Sequence, residues 1–199
     1  MPNFALAIHT SSPDLGLAIA NFSGESRSSI QNLGRDLSSS LHTHLVEFLS
    51  PQTWQDLAFV AVAIGPGGFT GTRIGVVLAR TLAQQLEIPL FGVSSLAAVA
   101  SGHSGTIALS MPAQRGELYT ALYQGSDAVQ PDAVMTPEQW VEALEKHSID
   151  HRIEVESEQG KYVEGVLAIA LQQWKNGDRP SWSEVLPYYG QHPVILTKS

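Results

Sequence analysis

Ala63 to Gln85 reads AIGPGGFTGTRIGVVLARTLAQQ. An apolar strand runs into a turn with glycine at 65, 67, 68 and 71, and a long helical pattern follows. Such a turn suggests a phosphate cradle, but the residues present decide against it. A Walker A loop needs G-x-x-x-x-G-K-[ST], because the lysine reaches the phosphates and the hydroxyl holds magnesium. No lysine stands between Gly65 and Arg80. A dinucleotide loop needs G-x-G-x-x-G and, about twenty residues on, an acid for the ribose. Here Thr70 takes the third glycine position, and the next strand ends Phe91-Gly92-Val93-Ser94 without a carboxylate. Only the helix N-terminus itself still argues for phosphate. Gly65, Pro66, Gly67 and Gly68 therefore read as a tight strand-to-helix turn, with Pro66 stiffening it.

The helix after the turn carries Gly71, Gly75, Ala79 and Ala83 at spacings of four, so they form one row along its surface. Thr72, Val76 and Arg80 flank the row, and Ile74, Val77, Leu78 and Leu82 supply bulk. Glycine in a helix interior costs about 1 kcal/mol relative to alanine, so such a row implies a close neighbour. That neighbour is either this chain's own sheet or the helix at Leu37–Leu49, or a helix of a second protein. Periodicity alone leaves the two readings even.

Working outward, Leu57 to Ile64 (LAFVAVAI) is an uninterrupted apolar run, the mark of a strand covered on both faces. Phe4 to Ile8 (FALAI), the turn His9 to Asp14 and a strand near Leu15 to Asn21 make a hairpin. Leu37, Leu41, Leu45, Phe48 and Leu49 recur at helical spacing over Asp36–Leu49, which Ser50-Pro51 closes. Ile88–Val93 reads as a strand and Ser95–Ala100 as a helix start. Strands alternating with helices imply a layered α/β fold. Ser101-Gly102-His103-Ser104-Gly105 is the most linker-like stretch and divides the chain into lobes at 1–100 and 101–199. Beyond it IALSM-PAQRG-ELYTALY repeats the pattern of the opening FALAI-HTSSPD-LGLAIA. Pro137–His147 and Tyr162–Lys175 read as amphipathic helices, and the tail from Gly177 as irregular.

The chain has 199 residues, a formal charge of −8 and only four lysines (Lys146, Lys161, Lys175, Lys198). Nucleic-acid affinity rests on basic groups meeting phosphates, so this chain is poorly equipped to hold RNA alone. It has no cysteine, which excludes disulfides, thiolate zinc sites and a cysteine nucleophile. The N-terminus has no basic segment or cleavage pattern, and no apolar run approaches a membrane span. The expectation is a cytoplasmic protein without a membrane segment.

No constellation announces a reaction. His9 sits in a turn as a lone histidine. His42 and His44 are two apart on a helix and point to nearly opposite sides, so they chelate one ion poorly. Ser11 and Ser12 lack a base or a nucleophile elbow. Arg115 and Glu117 flank the second hairpin in a structural role, and Asp14, Asp36 and Asp56 form no acid/base couple. Catalytic, cofactor and metal sites are therefore expected to be absent.

Gly65-Pro66-Gly67-Gly68-Phe69-Thr70-Gly71-Thr72-Arg73-Ile74-Gly75 closely resembles the GPGSFTGxRIG signature of the bacterial tRNA threonylcarbamoyladenosine biosynthesis protein TsaB (YeaZ) family. Leu6 to Ser11 (LAI-x-TS), His42-Thr43, Gly92-Val93-Ser94-Ser95-Leu96 and Arg115-Gly116-Glu117-Leu118-Tyr119 add to it. The resemblance is strong over residues 4–100, fair over 105–124 and thin beyond.

It implies a two-lobed actin-like fold, shared with sugar kinases and chaperone ATPases, with mixed sheets, flanking helices and a shortened second lobe. It implies a non-catalytic scaffold or activator subunit in tRNA threonylcarbamoyladenosine modification. That subunit pairs with a TsaD-type threonylcarbamoyltransferase in an assembly joined by a TsaE-type ATPase, and meets tRNA indirectly. The family's pairing surface uses the first-lobe helices, which tips the row toward an intermolecular contact. The expected interface is Leu41, His42, Leu45, Gly71, Thr72, Arg73, Gly75 and Ala79. Homodimer against heterodimer stays open, as does a nucleotide at the joint interface.

The chain departs from the family at His9, where Asp is common, and at Met111-Pro112-Ala113-Gln114, where I-D-A-R is frequent. Actin-like kinases use carboxylates at both turns for magnesium. The alternative, an actin-like nucleotide-dependent transferase or ATPase, therefore needs acids from elsewhere. A metallopeptidase-like activity has no paired-histidine motif to support it.

Overall fold

The computed structural model describes residues 3–190; Met1, Pro2 and the tail at 191–199 lie outside the described residues. β1 (Phe4–His9), β2 (Asp14–Asn21) and β3 (Ser26–Asn32) form an antiparallel meander. β4 (Leu57–Ala63) adds parallel to β1 and β5 (Leu90–Val93) parallel to β4, giving the order β3-β2-β1-β4-β5. The second half repeats this with β6 (Thr106–Pro112), β7 (Leu118–Gln124) and β8 (Asp127–Met135), and β9 (His151–Glu154) lies parallel to β6. Its order is β8-β7-β6-β9. The repeated hairpin is thus the start of a repeated topological unit. Among the described residues the second copy is one strand shorter, and the whole is the two-lobed mixed α/β architecture of the actin type.

Apart from Phe59 and Phe91, which lie with the alanines, residue size sorts the two faces of the first sheet. Leu6, Ile8, Leu17, Val60 and Val62 turn toward α1 (Leu37–Leu49) and α2 (Phe69–Leu86). Ala5, Ala7, Ala18, Ala61 and Ala63 turn the other way, into a core shared with α3 (Ser95–Ala100), α5 (Val163–Lys175) and the inner face of the second sheet. Small side chains on that face let α5 seat closely on β1. Gly165 does the same where α5 crosses α3, since a Cβ there would collide with the Ala98 carbonyl. Burial of both faces explains why β1 and β4 read as apolar runs rather than alternating strands. α4 (Pro137–Leu144) covers the outer face of the second sheet through Trp140 and Leu144. Its capping box is built by Thr136 and Gln139.

Three strands escape the sequence reading. β3 (SRSSIQN) and β8 are edge strands, where one open side and few apolar neighbours leave little hydrophobic signal and allow Pro131 within β8. β9 has four residues. The linker-like stretch does separate α3 from β6, but α5 returns from the second half to pack on β1, β2 and β4.

Candidate functional site

The row of small residues on α2 faces inward. A Cβ at Gly75 would collide with Thr10 Oγ1, and one at Gly71 with the Thr10 carbonyl oxygen. Thr10 is buried, and its hydroxyl donates to the Gly71 carbonyl at 2.9 Å. The close neighbour is therefore the chain's own β1–β2 turn, which corrects the intermolecular reading. Leu41, Leu45, Thr72, Gly75 and Ala79 all lie in the interior, and Gly71 is half-buried under Thr10 and Leu37. Of the expected interface residues, only His42 and Arg73 are exposed. The physical reason is the i, i+4 geometry of both helices, which puts their apolar and small rows on the sheet.

The opposite sides of α1 and α2, which pack beside each other, present a different set. Val46 is 55% exposed and Val77 62%, both on helices whose other faces are in the core. Arg73 lies over the Phe69 ring at 5.0 Å, and Phe69 is itself exposed. His42, Val46, Arg73 and Val77 are exposed on this outward face, with no described residue covering them.

Residues 65–68 make the turn from β4 to α2. Gly65 takes a left-handed φ of +97°, which glycine adopts without cost. Gly68 is the helix N-cap, and its N–H donates to the Ser11 carbonyl at 2.6 Å. The turn thereby joins the β1–β2 turn at the wall of an inter-lobe cleft of about 420 Å³. The cleft is lined by Ser11, Ser12, Gly67 and Gly68 on one side, and by Met111, Pro112, Tyr119, Val155 and Gln159 on the other.

His9 lies at the end of β1 and is fully buried. Its Nδ1 accepts from the Ser11 N–H at 3.4 Å, leaving the proton on Nε2. Burial pushes its pKa down to about 3, so the ring is neutral at physiological pH. Pro112 occupies the matching end of β6. Among the described residues no group of three His, Cys, Asp or Glu is placed to hold a metal. Among the described residues the cleft lining has one charged side chain, Glu156, and no lysine or arginine. A magnesium nucleotide, as kinases of this fold hold between their lobes, does not fit these residues.

A strap that the sequence did not reveal closes the back of the lobes. Val185 is buried where a Cβ on Gly92 would touch it. The Tyr188 N–H donates to the Ile64 carbonyl at 2.7 Å, and its hydroxyl donates to the Asp132 carbonyl at 3.1 Å. Asp132 also accepts from the Tyr123 hydroxyl at 2.9 Å, and burial pushes its carboxyl pKa up. Burial, then the nearby Asp132, raises Tyr188 to about 12. No motif marks these residues, because the pairing joins positions 56 apart in the chain.

A family model described as TsaD: tRNA N6-adenosine threonylcarbamoyltransferase matches residues 22–171. The tRNA threonylcarbamoyladenosine biosynthesis protein TsaB of Bacillus subtilis (strain 168) is 43% identical over 99 residues, which cover 46% of this chain and 43% of that protein. The protein of the same name from Escherichia coli (strain K12) is 36% identical over 93 residues, 42% of this chain and 40% of that protein. The matched stretch thus spans less than half the length of either relative. The solved structure of YeaZ from Pseudomonas aeruginosa superposes with a TM-score of 0.76 at 22% identity, covering 94% of this chain and all of that one.

Proposed function

Because the chain belongs to the TsaD (tRNA N6-adenosine threonylcarbamoyltransferase) family, and within it to the TsaB/YeaZ group, we propose that it is a non-catalytic subunit in making threonylcarbamoyladenosine on tRNA. It pairs with a TsaD-type enzyme and supports that enzyme's transfer reaction. The observation that carries this reading is the outward face of α1 and α2. His42, Val46, Arg73 and Val77 lie there on helices whose inner sides are fixed in the core, so the face is rigid before a partner arrives and loses little entropy on pairing. The cleft supports the non-catalytic part, since His9 is neutral and Pro112 offers no ligand where kinases of this fold place magnesium-binding acids. With a charge of −8, the chain leaves tRNA contact to the rest of the assembly.

Light scattering on mixtures with a TsaD-type enzyme tests the pairing. The expected result is a one-to-one complex that Val46→Glu and Val77→Glu each abolish, with their circular dichroism unchanged because both side chains already face water. A complex unaffected by both variants places the contact elsewhere and refutes this assignment of the face.

A further inference from the structure

The two sheets end differently on the same side. In the first, β4 lies beside β1 and carries β5 on its outer edge. In the second, β9 lies beside β6 and, among the described residues, no strand follows it. β9 pairs with β6 alone, and His151, Arg152 and Glu154 are exposed. An open strand edge presents unpaired N–H and C=O groups and is a template for another strand.

The register identifies the open groups. Odd positions along β6 bond to β7, and the Ala113 N–H continues that ladder by donating to the Glu117 carbonyl at 2.8 Å. Even positions therefore turn to β9, and the Ser110 carbonyl accepts the Val155 N–H at 2.7 Å. Peptide groups alternate sides along a strand. Ile153 thus turns its N–H and C=O to β6, while Arg152 and Glu154 turn theirs outward. The Arg152 and Glu154 side chains share the outer face, beside Ala108, Leu118 and Trp140. Ile153 packs on the core at the inner face.

The charges on this edge point to its partner. Edge strands are commonly protected by charges, lysine above all, that a copy of the same edge would repel. β9 instead reads His151-Arg152-Ile153-Glu154, with opposite charges placed symmetrically about Ile153. Neither charged side chain has a hydrogen bond or ion pair among the described residues. A second β9 laid antiparallel, with Ile153 facing Ile153, puts each Arg152 opposite the second copy's Glu154. Their peptide groups are the ones that face outward, so each such pair also exchanges both backbone hydrogen bonds. Opposite charges directly across an antiparallel ladder attract, and like charges there repel. We propose that β9 is a self-pairing edge, through which two copies of this chain join their second sheets antiparallel about a two-fold axis at Ile153.

This surface shares no residue with the outward face of α1 and α2, so the inference does not rest on pairing with an enzyme. A four-residue edge makes a small interface, and association is expected at protein concentrations up to about 1 mM. Sedimentation equilibrium on the whole chain should show monomer and dimer exchanging. Arg152→Glu and Glu154→Arg should each weaken the dimer at least about tenfold, because both cross-strand pairs become like-charged. An equimolar mixture of the two variants should associate again, since every pair across the mixed dimer is then opposite in charge. Circular dichroism should not change, because both side chains face water. Dimerisation should persist in Val77→Glu. Amide exchange should slow with concentration at Arg152 and Glu154 but not at Ile153, whose N–H is already bonded. A chain that stays monomeric, single variants that dimerise like the wild type, or a mixture that stays apart would overturn the proposal. So would a dimer lost in Val77→Glu, or one that leaves exchange at Arg152 and Glu154 unchanged.

Discussion

Gly75→Ala separates the two meanings of the glycine row. On an exposed helix this change adds about 1 kcal/mol of stability. Here the new methyl would overlap Thr10 Oγ1, with Thr10 Cβ and Cγ2 at 3.3 and 3.4 Å behind it. Thr10 is fully buried in the turn below α2, so it has no open space to retreat into. Overpacking of this kind costs about 1–3 kcal/mol, and displacing the Thr10 hydroxyl from the Gly71 carbonyl costs about 1 kcal/mol more. Set against the propensity gain, the net expectation is a destabilisation of roughly 1–3 kcal/mol. Thr10→Ala removes Oγ1 and leaves 3.3 Å as the nearest contact. In that background the cost of Gly75→Ala should fall by about 1–2 kcal/mol, the coupling expected of touching residues. Urea unfolding of the wild type, both single variants and the double variant gives all four corners of the cycle. A Gly75→Ala protein more stable than wild type but unable to pair would refute the intramolecular reading and return the row to a partner.

Two further outcomes follow from buried polar groups. His9 is held at about 3 when folded against 6.5 in the unfolded chain, so the unfolded state binds the extra proton and stability falls as pH drops below 6.5. At about 1.4 kcal/mol per pH unit, the loss from pH 7.5 to 5.5 is roughly 1.4 kcal/mol. Urea midpoints across pH should show this slope in the wild type and not in His9→Asn; equal slopes would remove His9 as the cause. Tyr188→Phe loses the hydrogen bond to the Asp132 carbonyl, for an expected cost of about 0.5–1.5 kcal/mol. Hydrogen exchange should rise at both Asp132 and Tyr188, and a rise confined to the tail would show that the strap does not hold the second lobe.

The fold was legible where burial writes a pattern. β1 and β4 announce themselves because helices cover both faces, and the paired hairpins expose the repeat. Edge strands β3 and β8 were silent, since half their surroundings are solvent or polar. On α2 the spacing of Gly71, Gly75 and Ala79 correctly signals a close neighbour, but spacing carries no label for whose backbone it is. Thr10 lies 65 positions away from Gly75 in the sequence, and only the packed structure brings them together. The same holds for Ser12 and Gln159, whose hydroxyl and backbone N–H bond across the lobes. The sequence shows a serine in a turn and a glutamine before a helix, and neither type is diagnostic of a site. The missing lysine and third glycine set this turn apart from the common phosphate loops, a distinction the sequence alone makes.

The central claim is that this chain supports a TsaD-type enzyme through the outward face of α1 and α2. Threonylcarbamoyladenosine formation on tRNA tests it most directly, measured for the enzyme alone, for this chain alone, for both together and for the enzyme with Val77→Glu. The account predicts substantial modification only with the wild-type pair. Full activity of the enzyme alone, or modification by this chain alone, would contradict it.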